Sequence, residues 1–363
     1  MTLLCQRAIQ TFEKMYDKSI GLYSSSSGMV SGKYINKFED QIAIRYTINS
    51  LLGLKVASRS GYKLGFPLES RIKDFLKKYK IKNKADVGLA LLLVADIDEK
   101  ISHNLLDKIR DDISRLRPSN YNLQDYAWLL WGVVEAARNG YKGSKDLARK
   151  LFRDVHDNLF DRDSLIPRYS LNPLRRRITS FGGITYFLRS IYEYASYFDD
   201  EYALVIFKES LRRILKIQGR FGEWPWLVDV KTGKVLEWYP VYSVHQDSMA
   251  MLFLLPGLSL GIKECEDSIR KSYSWILGKN QLGRPMINKE PFLIYRSIKR
   301  KVEGGKAGRY IRAVSNILLK CKPKLTNRVE INDECRSYHL GWILFVWSNE
   351  DKFDEFTNSE IFL

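Results

Sequence analysis

An all-α fold is what this sequence predicts, on three observations. Apolar residues recur at i, i+3, i+4 and i+7 along nearly the whole chain, which is the spacing of one helix face. Turn-forming residues break that pattern at short intervals. Strand-like alternation is convincing over Leu227–Glu237 alone. In chain order the periodicity predicts helices over Thr2–Tyr16, Phe38–Leu54, a less regular Leu68–Tyr79, Ala85–Ala95, Ile101–Leu116, Leu123–Ala137 and Asp146–Phe160. It continues over Ile184–Phe198, Glu201–Ile217, Ser248–Leu260, Cys265–Leu277, Tyr310–Leu319 and Tyr338–Trp347. The joints carry Arg117-Pro118-Ser119, Asn139-Gly140, Phe198-Asp199-Asp200 and Pro256-Gly257. Within Leu227–Glu237, the run Asp229 to Val235 reads as a short hairpin turning at Thr232-Gly233. Helices of this length joined by short turns pair as hairpins, about six of them here, and closing them into a ring buries the two ends that an open solenoid must cap. No fixed-period repeat of the solenoid families is present. The predicted architecture is one α/α toroid over residues 1–363, with one long loop that contains the β-hairpin. Ser24–Gly32 and Gly304–Gly308 read as loops rather than linkers.

Composition narrows the class of protein. With 45% hydrophobic and 13% aromatic residues in 363, the chain is too apolar to be disordered. Cys5, Cys265, Cys321 and Cys335 are far apart and form no CxxC, which excludes a disulfide scaffold and a zinc ribbon. Met1–Ser19 carries five charges and lacks a signal-peptide core. The most apolar stretch, Met249–Ile262, contains Pro256 and falls short of the ~20 residues of a membrane span. A soluble, cytoplasmic protein is expected. Lys and Arg number 59 against 42 Asp and Glu, a net charge of +17, so an anionic partner is expected. That partner is nucleic acid, an acidic glycan, a phosphorylated small molecule or an anionic membrane surface. Basic residues cluster between Arg71 and Lys84, at Arg175–Arg177, and between Lys299 and Arg309. None of these runs sits in a recognisable nucleic-acid module, which disfavours nucleic acid.

Polar chemistry concentrates between Gln218 and Met249. That loop holds Glu223, Asp229, Glu237, Tyr239, Tyr242, His245 and Asp247 beside Trp224, Trp226 and Trp238. A long loop on a rigid helical scaffold is where sites usually lie. Tryptophan faces stack on sugar rings, and carboxylates against apolar walls become general acids. Glu223, Glu237, Tyr239, Tyr242, His245 and Asp247 are therefore the candidate catalytic groups. Trp224, Trp226 and Trp238 are candidate sugar platforms.

Gln218-x-x-x-Gly222-x-Trp224 resembles the Q-x-x-x-G-x-W turn of the terpenoid cyclase and protein prenyltransferase toroids, with a weak echo at Gln281-Leu-Gly283. In that family the turn ties helix ends of the barrel together, so the resemblance implies the toroid rather than cyclisation. The architecture is similar to that of (α/α)6 glycoside hydrolases, polysaccharide lyases and sugar epimerases. Asp96-Ile-Asp98-Glu99 is similar to the Asp-x-Asp-Asp acid of class II cyclases, which would make Asp98 a proton donor. The Asp-Asp-x-x-Asp of diphosphate ionisation is missing, because Asp199-Asp200 is followed by Glu201, Tyr202 and Ala203. Asp333, Cys335 and His339 resemble the zinc ligands of protein prenyltransferases, with His339 one helical turn from Cys335. A zinc site needs three or four ligands, and no metal or cofactor is assigned.

Elsewhere, Arg45, Tyr46 and Asn49 share one helix face, and Asp125 and Trp128 share another with Trp131 one turn on. Arg45, Tyr46, Asp125 and Trp128 are candidate binding groups at the barrel mouth. Ser180-Phe-Gly-Gly opens a helix just after Arg177, which suits a carboxylate or phosphate. No P-loop, GxSxG or HExxH is present. The expected function is enzymatic action on an acidic glycan by hydrolysis, β-elimination or epimerisation. Hydrolysis would pair Glu223 with Glu237 or Asp247, while elimination would use Tyr239, Tyr242 or His245 as base. The alternatives are a terpenoid-cyclase-like enzyme and a non-catalytic helical scaffold that binds a polyanion.

Overall fold

The computed structural model describes residues 2–362 apart from Leu116, Arg117, Leu174, Glu303 and Asn327. The expected helix end at Leu116 and the breaker at Arg117 lie outside the described residues. Fourteen α-helices are described, and every helix the periodicity predicts is among them. They are α1 (Leu3–Met15), α2 (Asp40–Arg59), α3 (Leu68–Lys78), α4 (Lys84–Val94), α5 (Glu99–Arg115), α6 (Leu123–Arg138) and α7 (Ser144–Leu159). There follow α8 (Phe181–Phe198), α9 (Glu201–Leu215), α10 (Met251–Ser259), α11 (Glu264–Ile276), α12 (Gly305–Leu318), α13 (Ser337–Trp347) and the short α14 (Asp354–Thr357). A π-helical turn, His245–Met249, leads into α10 and replaces the expected start of a plain helix at Ser248.

The helices sort into two layers by pattern. In α4, α10 and α13 nearly every residue is apolar or small, and almost all are buried, so these helices have no solvent face. In α3, α5, α7 and α11 only one stripe is buried. Packing follows that division. In the inner ring α2 packs on α4, α4 on α6, α6 on α8 and α8 on α10. The π-helical turn packs on α13, and α13 packs on α2, which closes the circle. The amphipathic helices lie outside as hairpin partners, as α5 on α4, α7 on α6, α9 on α8 and α11 on α10 show. This is an α/α toroid.

Ring closure depends on four glycines. A Cβ built on Gly53 of α2 would stand 2.1 Å from the carbonyl oxygen of Gly341 on α13, and one on Gly341 would stand 2.4 Å from that of Asn49. A Cβ on Gly88 of α4 would stand 2.4 Å from the carbonyl oxygen of Trp128 on α6, and one on Gly132 would stand 2.2 Å from that of Gly88. The backbones themselves touch at these crossings, and any side chain forces them apart.

Strands are more frequent than the sequence suggests, but all are short and antiparallel and belong to inter-helix loops. The expected hairpin is present as Leu227–Asp229 paired with Val235–Glu237, extended by Ile178–Ser180 into three strands. A second sheet joins Val241–Tyr242, Ser297–Arg300 and Val329–Asn332. The missed strands are two to five residues long, too short for a period of two to register.

An alanine at an open helical position is worth about 1 kcal/mol over glycine, whereas overpacking a tight core costs roughly 1–3 kcal/mol. Gly88→Ala and Gly341→Ala are therefore expected to lower Tm despite the better helix former. Gly65→Ala, in an exposed loop with no atom within 4 Å, is expected to leave it unchanged. Thermal unfolding followed by circular dichroism checks all three.

Candidate active site

One cavity of about 290 Å³ opens at one end of the ring. Its residues come from the N-terminal halves of inner helices: Arg45, Tyr46 and Asn49 of α2, Gln124 and Trp128 of α6, Gly182 and Tyr186 of α8, and Tyr338 of α13. His245 and Met249 of the π-helical turn join them, with Thr179, Ser180, Trp226, Leu227, Tyr242, Arg296 and Tyr310 from loops, sheets and α12. Inner-helix N-termini carry partial positive charge, and two guanidinium groups add to it. Among the described residues no Asp or Glu lines the cavity.

At the cavity wall, three aromatic rings surround His245. Trp226 lies nearly parallel to it at 6.4 Å, Tyr242 meets it edge-on at 5.2 Å, and Phe181 packs at 4.9 Å. Its Nδ1 is buried with no hydrogen-bond partner among the described residues. Burial, with nearby His339 adding to it, pushes the imidazole pKa down to about 3, so the ring is neutral at ordinary pH. Four more buried polar atoms on lining residues lack a protein partner among the described residues: Asn49 Oδ1, Trp128 Nε1, Thr179 Oγ1 and Arg296 Nε. Such atoms cost free energy until something bonds them, and a polyhydroxylated ligand is suited to do so.

Arg45 is held rather than free. Its Nε donates to Asp86 Oδ1 at 2.6 Å, and its guanidinium lies 5.4 Å from the Trp128 ring centre. Burial raises the Asp86 carboxyl above the usual carboxylate range despite Arg45. Arg296 lies 5.5 Å from the Tyr242 ring centre and pairs with Glu334 at 3.0 Å. Tyr46 and Tyr338 pack with ring centres 4.4 Å apart beside it.

Of the residues singled out from sequence, the structure brings Arg45, Tyr46, Trp128, Trp226, Tyr242 and His245 to one cavity. The others it places elsewhere, each with a physical reason. Glu223 is buried in its own turn, accepting from the Phe221 backbone, and desolvation raises its carboxyl. Burial would also raise Glu237, but hydrogen bonds from Arg312 Nε at 2.6 Å and Arg300 Nη2 at 2.9 Å outweigh it and hold that carboxyl below its usual range. Asp247 accepts from His339 Nε2 at 2.7 and 2.9 Å inside the core. These three carboxylates face different partners, so the expected pairing of Glu223 with Glu237 or Asp247 is not formed. Tyr239 is buried, and its hydroxyl donates to Thr326 O. Trp224 is fully buried against Phe181 and offers no face to a sugar, while Trp238 is half-buried, donates to Pro323 O and does not line the cavity. Asp125 forms a capping box with Asn122 at the start of α6, and Arg177 pairs through two hydrogen bonds with Asp229.

The Gln218 turn is a fastener. Gln218 Nε2 donates to Gly222 O and Ser268 O at 3.0 Å, and Trp224 Nε1 donates to Ser272 Oγ at 2.8 Å, tying the end of α9 to α11. Asp98 caps α5 and Asp96 pairs with Lys55 and Arg59, beside a surface recess at the opposite end of the ring. Neither faces a closed apolar cavity as a cyclase acid would. His339 is committed to Asp247, and among the described residues no three His, Cys, Asp or Glu side chains group as metal ligands. Arg296, Tyr186, Tyr310 and Tyr338 were missed, because a lone arginine in a loop and scattered tyrosines give no pattern.

Neither a protein family nor a curated protein matches the sequence. Solved structures do match in fold. A sugar epimerase from a ruminal bacterium is 12% identical with a TM-score of 0.64, covering 95% of this chain and 96% of its own. Cellobiose 2-epimerase from Bacillus thermoamylovorans B4167 is 12% identical with a TM-score of 0.62, covering 95% and 97%. An unsaturated glucuronyl hydrolase from Streptococcus agalactiae is 11% identical with a TM-score of 0.55, covering 95% and 89%. The likeness is one of fold over the full ring.

His245 also sets a pH dependence. Its folded pKa, about 3, lies below the unfolded value near 6.5. The unfolded chain therefore binds more protons between those values, and stability is lost as pH falls through that window. Urea unfolding at pH 7 and pH 4.5 is expected to show a larger loss for the wild type than for His245→Gln, by roughly 1 kcal/mol per pH unit. Equal losses would mean that the ring is not held neutral.

Proposed function

We propose that the chain is a carbohydrate-active enzyme that moves a proton at a sugar carbon next to a carbonyl, an epimerase or isomerase of a saccharide that carries a carboxylate. The observation that carries this reading is His245: a neutral imidazole with an unpartnered nitrogen, on a cavity walled by Trp226, Trp128 and Tyr242 and free of lining carboxylates. The neutral imidazole keeps a lone pair for the proton of the carbon, and the negative charge that a bound carboxylate and the forming enediolate place beside the ring raises its basicity for that transfer. The carbon's electron pair moves onto the carbonyl oxygen and forms an enediolate, whose charge Arg45 or Arg296 offsets. The planar enediolate then turns its other face to the imidazolium, and return of a proton from the same ring inverts the configuration of the carbon. The same guanidinium groups and helix N-termini suit a uronate carboxylate. Two of the fold neighbours are sugar epimerases by name and a third is a glucuronyl hydrolase, which supports the substrate class.

Hydrolysis is the second reading, and Asp86 with Asp125 favours it. Both lie in first turns of inner helices, and desolvation raises both carboxyls, as a general acid requires.

Proton NMR in D2O on a panel of reducing saccharides and uronates separates the two. Epimerisation exchanges one carbon-bound proton for deuterium without releasing new reducing ends. Hydrolysis releases them without exchange. On the first reading His245→Gln is expected to lower the rate about 10²–10⁴-fold, and Asp125→Asn much less. The reverse ranking would transfer the assignment to the aspartates.

A further inference from the structure

Helix α12 is unlike the ring helices, because it carries two adjacent apolar rows, roughly 100° apart around its axis, and only one of them is covered. Its inner row, Tyr310, Ala313 and Ile317, packs onto Ile178, Leu227 and Leu236 beside the cavity, and Tyr310 lines the mouth. Its outer row, Ile311, Val314 and Leu318, falls at i, i+3 and i+7 and is left in solvent, Ile311 65% and Leu318 75% exposed. Leu319, 71% exposed, extends that row past the helix end. Three large aliphatic side chains in one exposed row are uncommon on a surface otherwise covered by charge.

The surroundings of the row identify its partner. Lys301 precedes the helix, and Lys320, Lys322 and Lys324 follow it, all four exposed. None of these lysines has a carboxylate partner among the described residues, although the chain forms many ion pairs elsewhere. An aliphatic row flanked by unneutralised cations complements a surface that is apolar below and anionic above. We infer that the outer face of α12 docks on an anionic phospholipid surface, with Ile311, Val314 and Leu318 inserted at the headgroup boundary and the lysines against the phosphates. Because the inner face of the same helix borders the mouth, docking holds the cavity within about one helix diameter of the bilayer. This inference is independent of the chemistry assigned to the cavity.

Sedimentation of the full chain with vesicles tests it. The wild type is expected to pellet with vesicles in which about a third of the lipid is phosphatidylglycerol and to stay in solution with pure phosphatidylcholine. Ile311→Ser with Leu318→Ser keeps the charge and is expected to weaken partitioning at least about tenfold, with Tm unchanged because both side chains are exposed. Lys320→Glu with Lys322→Glu is expected to abolish the preference for anionic lipid. The inference is overturned if the wild type ignores anionic vesicles, or if the serine variant binds them as well as the wild type, which would leave only a general attraction of a basic protein. It is also overturned if light scattering shows a wild-type dimer that the serine variant converts to monomer, since a second copy would then cover the face.

Discussion

The backbone contacts between inner helices are the constraint on which the rest of the structure rests. Gly341 sits against the Asn49 carbonyl and Gly88 against the Trp128 carbonyl, and Asn49 and Trp128 themselves line the cavity. Ring closure and cavity shape are therefore one geometric fact. Moving α13 away from α2, or α4 away from α6, by the width of a methyl group would shift a wall of the site. The closeness also explains why Arg45 can reach Asp86: two adjacent inner helices stand near enough for a guanidinium on one to pair with a carboxylate in the first turn of the other.

A second set of fasteners holds the loop side of the cavity. Glu237, buried between Arg300 and Arg312, locks the hairpin to the second sheet and to α12. Breaking such a buried arrangement on one side strands a charge at a cost of about 3–5 kcal/mol. The Gln218 turn fixes the near end of the same loop on α11. Between these two anchors the chain presents Trp226 to the cavity, and just beyond the second it presents Tyr242 and His245. The polar richness of this loop thus has two uses, with most of its carboxylates acting as structural ties and its imidazole left open.

How much of this was legible in the sequence follows from the range of each interaction. The helices were, because their signal is local: the boundaries of α6 differ from the periodicity by a single residue at the C-terminus. The periodic run of α8 begins three residues late, at Ile184, since Gly182 and Gly183 carry no apolar signal, but Ser180-Phe-Gly-Gly reads as the helix opening and Ser180 does cap it through the Gly183 amide. The toroid was legible from helix number and spacing together with the Gln218 turn. The role of each carboxylate was not, because Glu237 meets arginines 63 and 75 residues away and Asp247 meets a histidine 92 residues away. A glutamate in an aromatic loop reads the same in sequence whether it is a general acid or one half of a buried pair. The α2 face with Arg45, Tyr46 and Asn49 could be read, since all three lie within two helical turns. Arg296 could not, since it reaches the cavity from a loop with no periodicity of its own.

The central claim is that His245 is the proton-accepting group that meets a saccharide. The chain has four histidines, two of them, His103 and His156, on the outer helices α5 and α7. Carbon–proton correlation NMR of histidine-labelled protein, with the His245 signal assigned through His245→Gln, reads the contact directly during titration with glucuronate, galacturonate or cellobiose. The account predicts that the His245 ring resonance moves saturably with at least one of these sugars while those of His103 and His156 stay in place. A saccharide that binds and leaves the His245 resonance unmoved would contradict it.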